Sequence, residues 1–134
     1  MKFRAYVQLR LGDDVMKKVF SILIVLSLFL IPVTAFAGEG PLALPAGANP
    51  EANMHNDEGI KHWNQGHYDV ALKHFQEASG IDASSGEVHF NEAIANDKVG
   101  KHGDATMHFK AAFKRAGGNK KILESPILHA HIGH

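Results

Sequence analysis

Apolar side chains recur every three or four residues in two stretches of the chain. The first stretch contains Tyr68, Ala71, Leu72, Phe75 and Ala78, and the second contains Ala105, Phe109, Ala112, Phe113 and Ala116. This spacing places the apolar side chains on one face of an α-helix. The pattern predicts amphipathic helices over residues 68–80 and 104–116, and we predict a further helix before each of them, over residues 52–65 and 87–99.

The two stretches belong to copies of one unit. Residues of the first copy recur 34 positions later in the second: Gly66, Ala71, His74, Phe75 and Ala78 correspond to Gly100, Ala105, His108, Phe109 and Ala112. A fixed period of this length is typical of stacked helical repeats. Gly59 and Ala93 also correspond, and their small size allows crossing helices to approach closely. We therefore predict an all-α protein with two helix–turn–helix units, residues 52–85 and 86–119.

The chain resembles the tetratricopeptide repeat (TPR) family over residues 52–119. The resemblance rests on the period and on the small, glycine and aromatic positions of both copies: Gly59, Gly66, Tyr68, Ala71, Phe75 and Ala78, with Ala93, Gly100, Ala105, Phe109 and Ala112. The sequence departs from the family pattern because no proline closes either repeat, and because Glu58 and Glu92 replace a large apolar residue. The resemblance implies two stacked TPR repeats, a fragment of a right-handed α-solenoid.

The resemblance also implies a function in protein–protein interaction. TPR scaffolds hold a peptide or helix of a partner on a concave face that the first helix of each repeat lines. Transferred position by position, the groove residues are Asn56, Ile60, Trp63, Asn64, Phe90, Ile94, Asp97 and Lys98. Trp63 fits a core position equally well. The basic and asparagine pattern that clamps a terminal carboxylate in some TPR domains is not visible, so we do not expect chaperone-tail binding.

The C-terminal residues 120–134 predict a cap for the stack. The cluster Gly117-Gly118-Asn119 ends the preceding helix, and a short helical turn follows over residues 120–124. Ser125 and Pro126 are typical of a helix start, and Gly133 of a helix end. The apolar residues of this segment should cover the exposed face of the last repeat helix: Ile122, Leu123, Ile127, Leu128 and Ile132.

Residues 1–37 predict a secretory signal peptide. Met16-Lys17-Lys18 is a basic start, residues 19–31 are apolar, and Ala35-Phe36-Ala37 is a small-x-small cleavage motif. We predict that translation starts at Met16, that the chain is cut after Ala37, and that the product is periplasmic or secreted without a membrane association. The alternative is an uncleaved membrane anchor.

Residues 38–51 form a linker rich in proline and glycine, with Pro41, Pro45 and Pro50. We expect it to be flexible or to lie along the domain through Leu42 and Leu44. Two repeats are fewer than the roughly three that a stable stack usually needs. The outer face of the first helix should therefore be covered by this linker, by a second copy or by a partner.

Composition excludes several classes of function. The chain has no cysteine, which excludes disulfides and thiolate metal sites. Residues 38–134 contain 9 Lys or Arg and 12 Asp or Glu, and nucleic-acid-binding domains usually have a basic face instead. No phosphate loop or nucleophile motif is present. We therefore expect no enzyme activity, no cofactor and no nucleic-acid partner.

Ten histidines suggest metal binding or metal buffering as the alternative function. His55, Glu58 and His62 fall on one face of a helix, and the pattern recurs at His89, Glu92 and Asn96. Imidazole and carboxylate suit zinc and other first-row divalent ions. A second candidate set is His129, His131 and His134 at the C-terminal end.

A simpler interpretation of the helix pattern is a hydrogen bond within each helix. Side chains three residues apart are neighbours on a helix surface. This interpretation pairs Glu58 with His55 and Glu92 with His89. His74 and His108 are then expected on the half-exposed surface of the second helices.

Overall fold

The computed structural model describes residues 38–133, which contain six helices and no strand. The helices are α1 (Pro50–Asn64), α2 (Tyr68–Ile81), α3 (Gly86–Lys98), α4 (His102–Lys114), α5 (Lys120–Leu123) and α6 (Pro126–Ile132). The predicted signal peptide and His134 lie outside the described residues. The all-α prediction is confirmed, and the four repeat helices begin and end within two residues of the predicted bounds.

The start of α1 shows why the sequence pattern placed it two residues too late. The Asn49 side chain accepts hydrogen bonds from the backbone N–H groups of Glu51 and Ala52. Pro50 follows as the first helical residue, where a missing N–H costs nothing and the fixed φ angle suits a helix. A proline assigned to the linker therefore starts the helix. Gly66 and Gly100 occupy the two equivalent turns with φ of 78° and 82°, a region that favours glycine.

The helices stack in sequential pairs. Helix α1 packs against α2, α3 against α4, and α2 contacts α3 to join the two pairs. Helix α6 lies against α4. The short α5 contacts both α3 and α4. This arrangement agrees with the predicted stacked repeats and C-terminal cap, and none of the helices from residue 50 to residue 132 is long and apolar enough to cross a membrane.

The equivalent residues Phe75 and Phe109 form the centres of the two helix pairs, and both are fully buried. Gly59 lies against the Phe75 ring so closely that a Cβ atom there would come within 2.6 Å of the ring carbon Cδ1. The small residue at this position is therefore needed for the helix crossing, as predicted. Phe113 differs from the predicted stripe, since its side chain is 37% exposed at the edge of α4.

The residues of the C-terminal cap complete the core of the second pair. Ile122 from α5 and Leu128 from α6 are fully buried in the same cluster as Phe90 and Phe109. Ser125 accepts a hydrogen bond from the Leu128 N–H as the N-cap of α6. The predicted roles of Ser125 and Pro126 at the helix start are thereby confirmed.

Two glycines should respond to alanine in opposite ways. A Cβ at Gly86 would lie 2.8 Å from the Arg115 carbonyl oxygen and 2.9 Å from that of Ala112, which are backbone atoms of the neighbouring segment. We expect Gly86→Ala to lower the free energy of unfolding by about 1–3 kcal/mol. Gly80 lies near the end of α2 with open space around it. Gly80→Ala should raise the free energy of unfolding by about 0.4–1 kcal/mol.

Urea denaturation of both variants measures these changes. A neutral Gly86→Ala variant would show that α3 and the end of α4 are farther apart than the structure places them.

Candidate functional site

A segment of the protein's own chain, residues 39–44, lies against α1 and α3; we call it the anchored segment. Its Leu42 N–H donates a hydrogen bond to Asn91 Oδ1 at 2.6 Å, and Asn91 Nδ2 donates to the Leu42 carbonyl oxygen at 2.7 Å. Asn56 Nδ2 donates to the same carbonyl oxygen at 3.1 Å. The backbone N–H and C=O groups of one residue are therefore held by two side-chain amides, which we call the asparagine clamp.

The asparagine clamp is rigid and fully buried. Asn91 Nδ2 also donates to Asn56 Oδ1 at 2.7 Å, so the two side chains orient one another. Because the Leu42 N–H can only donate and its carbonyl can only accept, the Asn91 amide has one allowed orientation. Asn56 comes from α1 and Asn91 from α3, and both side chains have no solvent exposure. The clamp therefore depends on the two helix pairs being correctly stacked.

Two side chains of the anchored segment, Leu42 and Glu39, also contact the domain. Leu42 packs against the buried cluster that contains Phe90, and Trp63 packs against the same cluster. The Glu39 carboxylate accepts hydrogen bonds from Ser125 Oγ at 2.6 Å and from the Ile127 N–H at 3.2 Å. A carboxylate at this place also interacts favourably with the N-terminal end of α6.

An open cleft of about 480 Å³ lies beside the anchored segment. The cleft is lined by residues of the anchored segment, by one residue of α3 and by residues of α5 and its C-cap: Glu39, Gly40, Pro41 and Leu42; Phe90; Lys120, Lys121 and Glu124. The cleft has an apolar wall at Phe90 and basic residues at its rim.

The predicted groove residues do not form one open surface. Three are buried, three are half-buried and two are exposed: Asn56, Phe90 and Ile94; Ile60, Trp63 and Asp97; Asn64 and Lys98. Trp63 contacts both core clusters and meets Tyr68 edge-on, which places it between core and groove. Of these residues, Asn56 binds the anchored segment, and Leu42 of that segment packs against the cluster that contains Phe90 and Ile94.

Among residues 38–133, three groups of histidine and carboxylate side chains are close enough to share one ion. The first contains His55, His74 and Glu77. Glu77 Oε2 lies 2.8 Å from His55 Nδ1 and 3.3 Å from His74 Nδ1. Glu58 instead pairs with Lys61 at 3.1 Å, and the hydrogen bond to Lys61 lowers the pKa of Glu58.

The predicted bond between His55 and Glu58 is therefore wrong. His55 and His74 face each other across the α1–α2 crossing, with ring centroids 6.0 Å apart. His62, the third member of the predicted metal set, stacks on His74 with centroids 5.4 Å apart. The spacing along α1 does place His55 and His62 on one face. That face packs on α2, where Glu77 and His74 lie closer to the two histidines than Glu58 does.

The second group repeats the histidine pair in the second helix pair, but its carboxylate is at a different position and contacts only one of the two histidines. His89 Nδ1 lies 3.4 Å from His108 Nδ1, and His89 Nε2 lies 3.1 Å from the Ala83 carbonyl oxygen. Glu92 accepts a hydrogen bond from Ser79 Oγ at 2.7 Å and lies 3.2 Å from His108 Nε2. The predicted bond between His89 and Glu92 is wrong for the same reason as in the first copy. Burial lowers the pKa of His89, which favours its neutral form.

The third group links α3, α4 and α6. Asp97 Oδ1 lies 2.8 Å from His102 Nδ1 and 2.8 Å from His131 Nε2. His131 Nδ1 lies 3.0 Å from Thr106 Oγ1. His129 Nε2 instead donates to the Leu123 carbonyl oxygen at 2.7 Å, so the predicted C-terminal metal set is divided between separate partners.

Sequence reasoning missed Asn91 and the second-helix histidines. Asn91 corresponds to the exposed Asp57 in the first copy, so the repeat gave no signal for it. His74 and His108 did give a signal, because both recur at the repeat period together with His55 and His89.

Comparisons with protein-family models, with curated proteins and with solved structures gave no match to this chain. The fold and the site define the class of protein as all-α, with stacked helix pairs and the anchored segment held by two buried asparagines.

Proposed function

We propose that this protein is a non-enzymatic peptide-binding adaptor of the TPR type. In this proposal α1 and α3 hold an extended segment of a partner protein in the position of the anchored segment. The asparagine clamp is the observation that supports it. Two buried side chains bind both backbone polar groups of one residue, a mode of binding that does not depend on the side chain of that residue.

The contacts of the anchored segment indicate the chemistry of the ligand. The clamped residue must have an N–H, which excludes proline, and the neighbouring Phe90 cluster favours a leucine-like side chain. Glu39 shows that a carboxylate three residues earlier gains two hydrogen bonds at the start of α6. The expected partner sequence is an extended acidic-x-x-leucine segment.

The anchored segment is then an intramolecular competitor. A short tether gives such a segment an effective concentration in the millimolar range. The apparent affinity for a partner falls in proportion to the fraction of molecules whose groove is open. Partner binding should therefore be weak in the parent protein and should strengthen when the segment is weakened.

We also propose that the adaptor is exported, because residues 16–37 have the three parts of a signal peptide. Cleavage after Ala37 leaves Gly38 as the first residue, next to the anchoring Glu39. N-terminal sequencing of the protein from cells tests this, and a retained leader on a membrane fraction would contradict it.

A labelled peptide of residues 38–46 tests the peptide-binding proposal. Leu42 is half-buried, so Leu42→Ala loses about 1 kcal/mol of apolar burial and raises the open fraction roughly fivefold. Fluorescence anisotropy should therefore show roughly fivefold tighter binding of the peptide to this variant than to the parent.

Two controls complete this experiment. A peptide with Asp at the position of Leu42 should not bind, and Ala43→Ser, at an exposed position of the segment, should leave the parent affinity unchanged. If the Leu42→Ala protein keeps its helices by circular dichroism and still binds no peptide, the anchored segment is a permanent structural part and the proposal fails.

A further inference from the structure

We propose that His89, His108 and Glu92 form a binding site for one divalent first-row transition metal ion, with zinc as the reference ion. We call these three residues the paired-histidine site. The proposal goes beyond peptide binding, because the site lies on the α3–α4 crossing and uses none of the residues of the asparagine clamp.

The distance between the two imidazole nitrogens fits one ion between them. The Nδ1 atoms of His89 and His108 are 3.4 Å apart. Two nitrogens that are each about 2.05 Å from a zinc ion lie roughly 3.3–3.4 Å apart at a tetrahedral angle. The rings therefore need little movement to bind an ion.

The hydrogen bonds on the outer nitrogens fix the tautomers in the form that binds a metal. The Ala83 carbonyl can only accept, so His89 Nε2 has the hydrogen and, in the neutral ring, Nδ1 has the lone pair. The Glu92 carboxylate likewise favours a hydrogen on His108 Nε2. Metal-binding histidines almost always donate their other N–H to a carbonyl or carboxylate in this way.

These assignments leave an unsatisfied contact at the centre of the site. With both rings neutral, two Nδ1 lone pairs face each other at 3.4 Å. The other neutral tautomer of His108 would place a lone pair against the Glu92 carboxylate. With Glu92 ionised, a proton or a metal ion between the two Nδ1 atoms satisfies every partner. The buried negative charge of Glu92 offsets part of the charge of a bound dication.

Glu92 orients His108 instead of binding the ion directly. Its Oε1 lies 3.2 Å from His108 Nε2, the ring nitrogen that does not face His89. Ser79 Oγ donates to Glu92 Oε2 and thereby holds the carboxylate in place from α2. His108 is partly exposed, with 18% of its side chain accessible, so an ion can enter from its side and water can complete the coordination.

The two other histidine groups are arranged differently. In each of them one carboxylate oxygen lies between two imidazole nitrogens, at Glu77 Oε2 and at Asp97 Oδ1. Asp97 Oδ1 accepts hydrogen bonds from both histidines of its group. The Glu77 side chain is 53% exposed, so water can satisfy its carboxylate. The first group also supplies a matched control, because His55 and His74 are equivalent to His89 and His108 by the repeat.

The test uses the full mature chain without an affinity tag. Isothermal titration with zinc chloride should show one strong site per chain, and cobalt(II) should give the visible spectrum of a tetrahedral nitrogen and oxygen site. Glu92→Gln should weaken binding by about 10–100-fold, as for other residues that orient metal ligands. His108→Gln should weaken it at least as much, and His55→Gln should leave the affinity unchanged.

Thermal melting keeps the result interpretable if a variant is less stable. A ligand that binds only the folded state raises the melting temperature in proportion to its affinity. Zinc should raise the melting temperature of the parent and of His55→Gln, but not that of His108→Gln. The proposal is overturned if the parent binds no zinc, if His108→Gln binds zinc as the parent does, or if His55→Gln loses binding equally.

Discussion

Replacing Phe75 or Phe109 with alanine should lower the free energy of unfolding by about 3–5 kcal/mol. Each ring is fully buried at the centre of one helix pair, so its removal leaves a cavity that the neighbouring residues fill only in part. A domain of this size has only about 5–15 kcal/mol in total. Either variant should therefore be close to unfolding at room temperature, as urea or thermal denaturation would show.

Met107→Ala is the matched control on α4. Met107 lies two residues before Phe109 but is 59% exposed, so its truncation should change the free energy of unfolding by no more than about 0.5 kcal/mol. Equal melting temperatures for Phe109→Ala and Met107→Ala would mean that the register of the second repeat is wrong.

Asn91→Ala should have the second-largest effect, a loss of about 2–4 kcal/mol. The change leaves the Leu42 N–H, the Leu42 carbonyl and Asn56 Oδ1 short of partners that lie 2.6–2.7 Å away in the parent. An unsatisfied buried polar group costs about 1–3 kcal/mol. Release of the anchored segment into water limits the total loss of stability, because water then hydrates the Leu42 N–H and C=O groups.

Amide hydrogen exchange distinguishes release from general unfolding. In Asn91→Ala the Leu42 amide should lose its protection, while the Phe75 amide in α2 keeps most of its own. Asn53→Ala is the control, since the Asn53 side chain makes only an exposed contact to Asp57. Unchanged protection at Leu42 in Asn91→Ala would contradict the clamp.

The sequence was sufficient to predict features that arise from residues close together along the chain. The three-to-four spacing located the four repeat helices, the period located the two copies, and Ser125-Pro126 located the start of α6. These signals work because each arises from contacts within one helix or between neighbouring helices. The small Gly59 was predicted for the same reason, since its partner Phe75 is in the next helix.

The sequence was insufficient where partners are far apart along the chain. Leu42 and Asn91 are 49 residues apart, and no local pattern marks either as the partner of the other. The histidine pairings failed for a related reason. The three-residue rule compares side chains on one helix, whereas His89 meets His108, which is 19 residues away on the next helix.

The contact of Glu39 with Ser125 joins residues 86 positions apart. In a linear repeat stack each unit contacts only its neighbours, so folding can begin anywhere and the end units can fray independently. Here the anchored segment before the first helix is bonded to the start of the last one, which closes the array into a loop. Such a long closure raises the contact order, and folding slows as contact order rises. The molecule should consequently fold more slowly than an open helical array of the same length, and its first and last elements should open together.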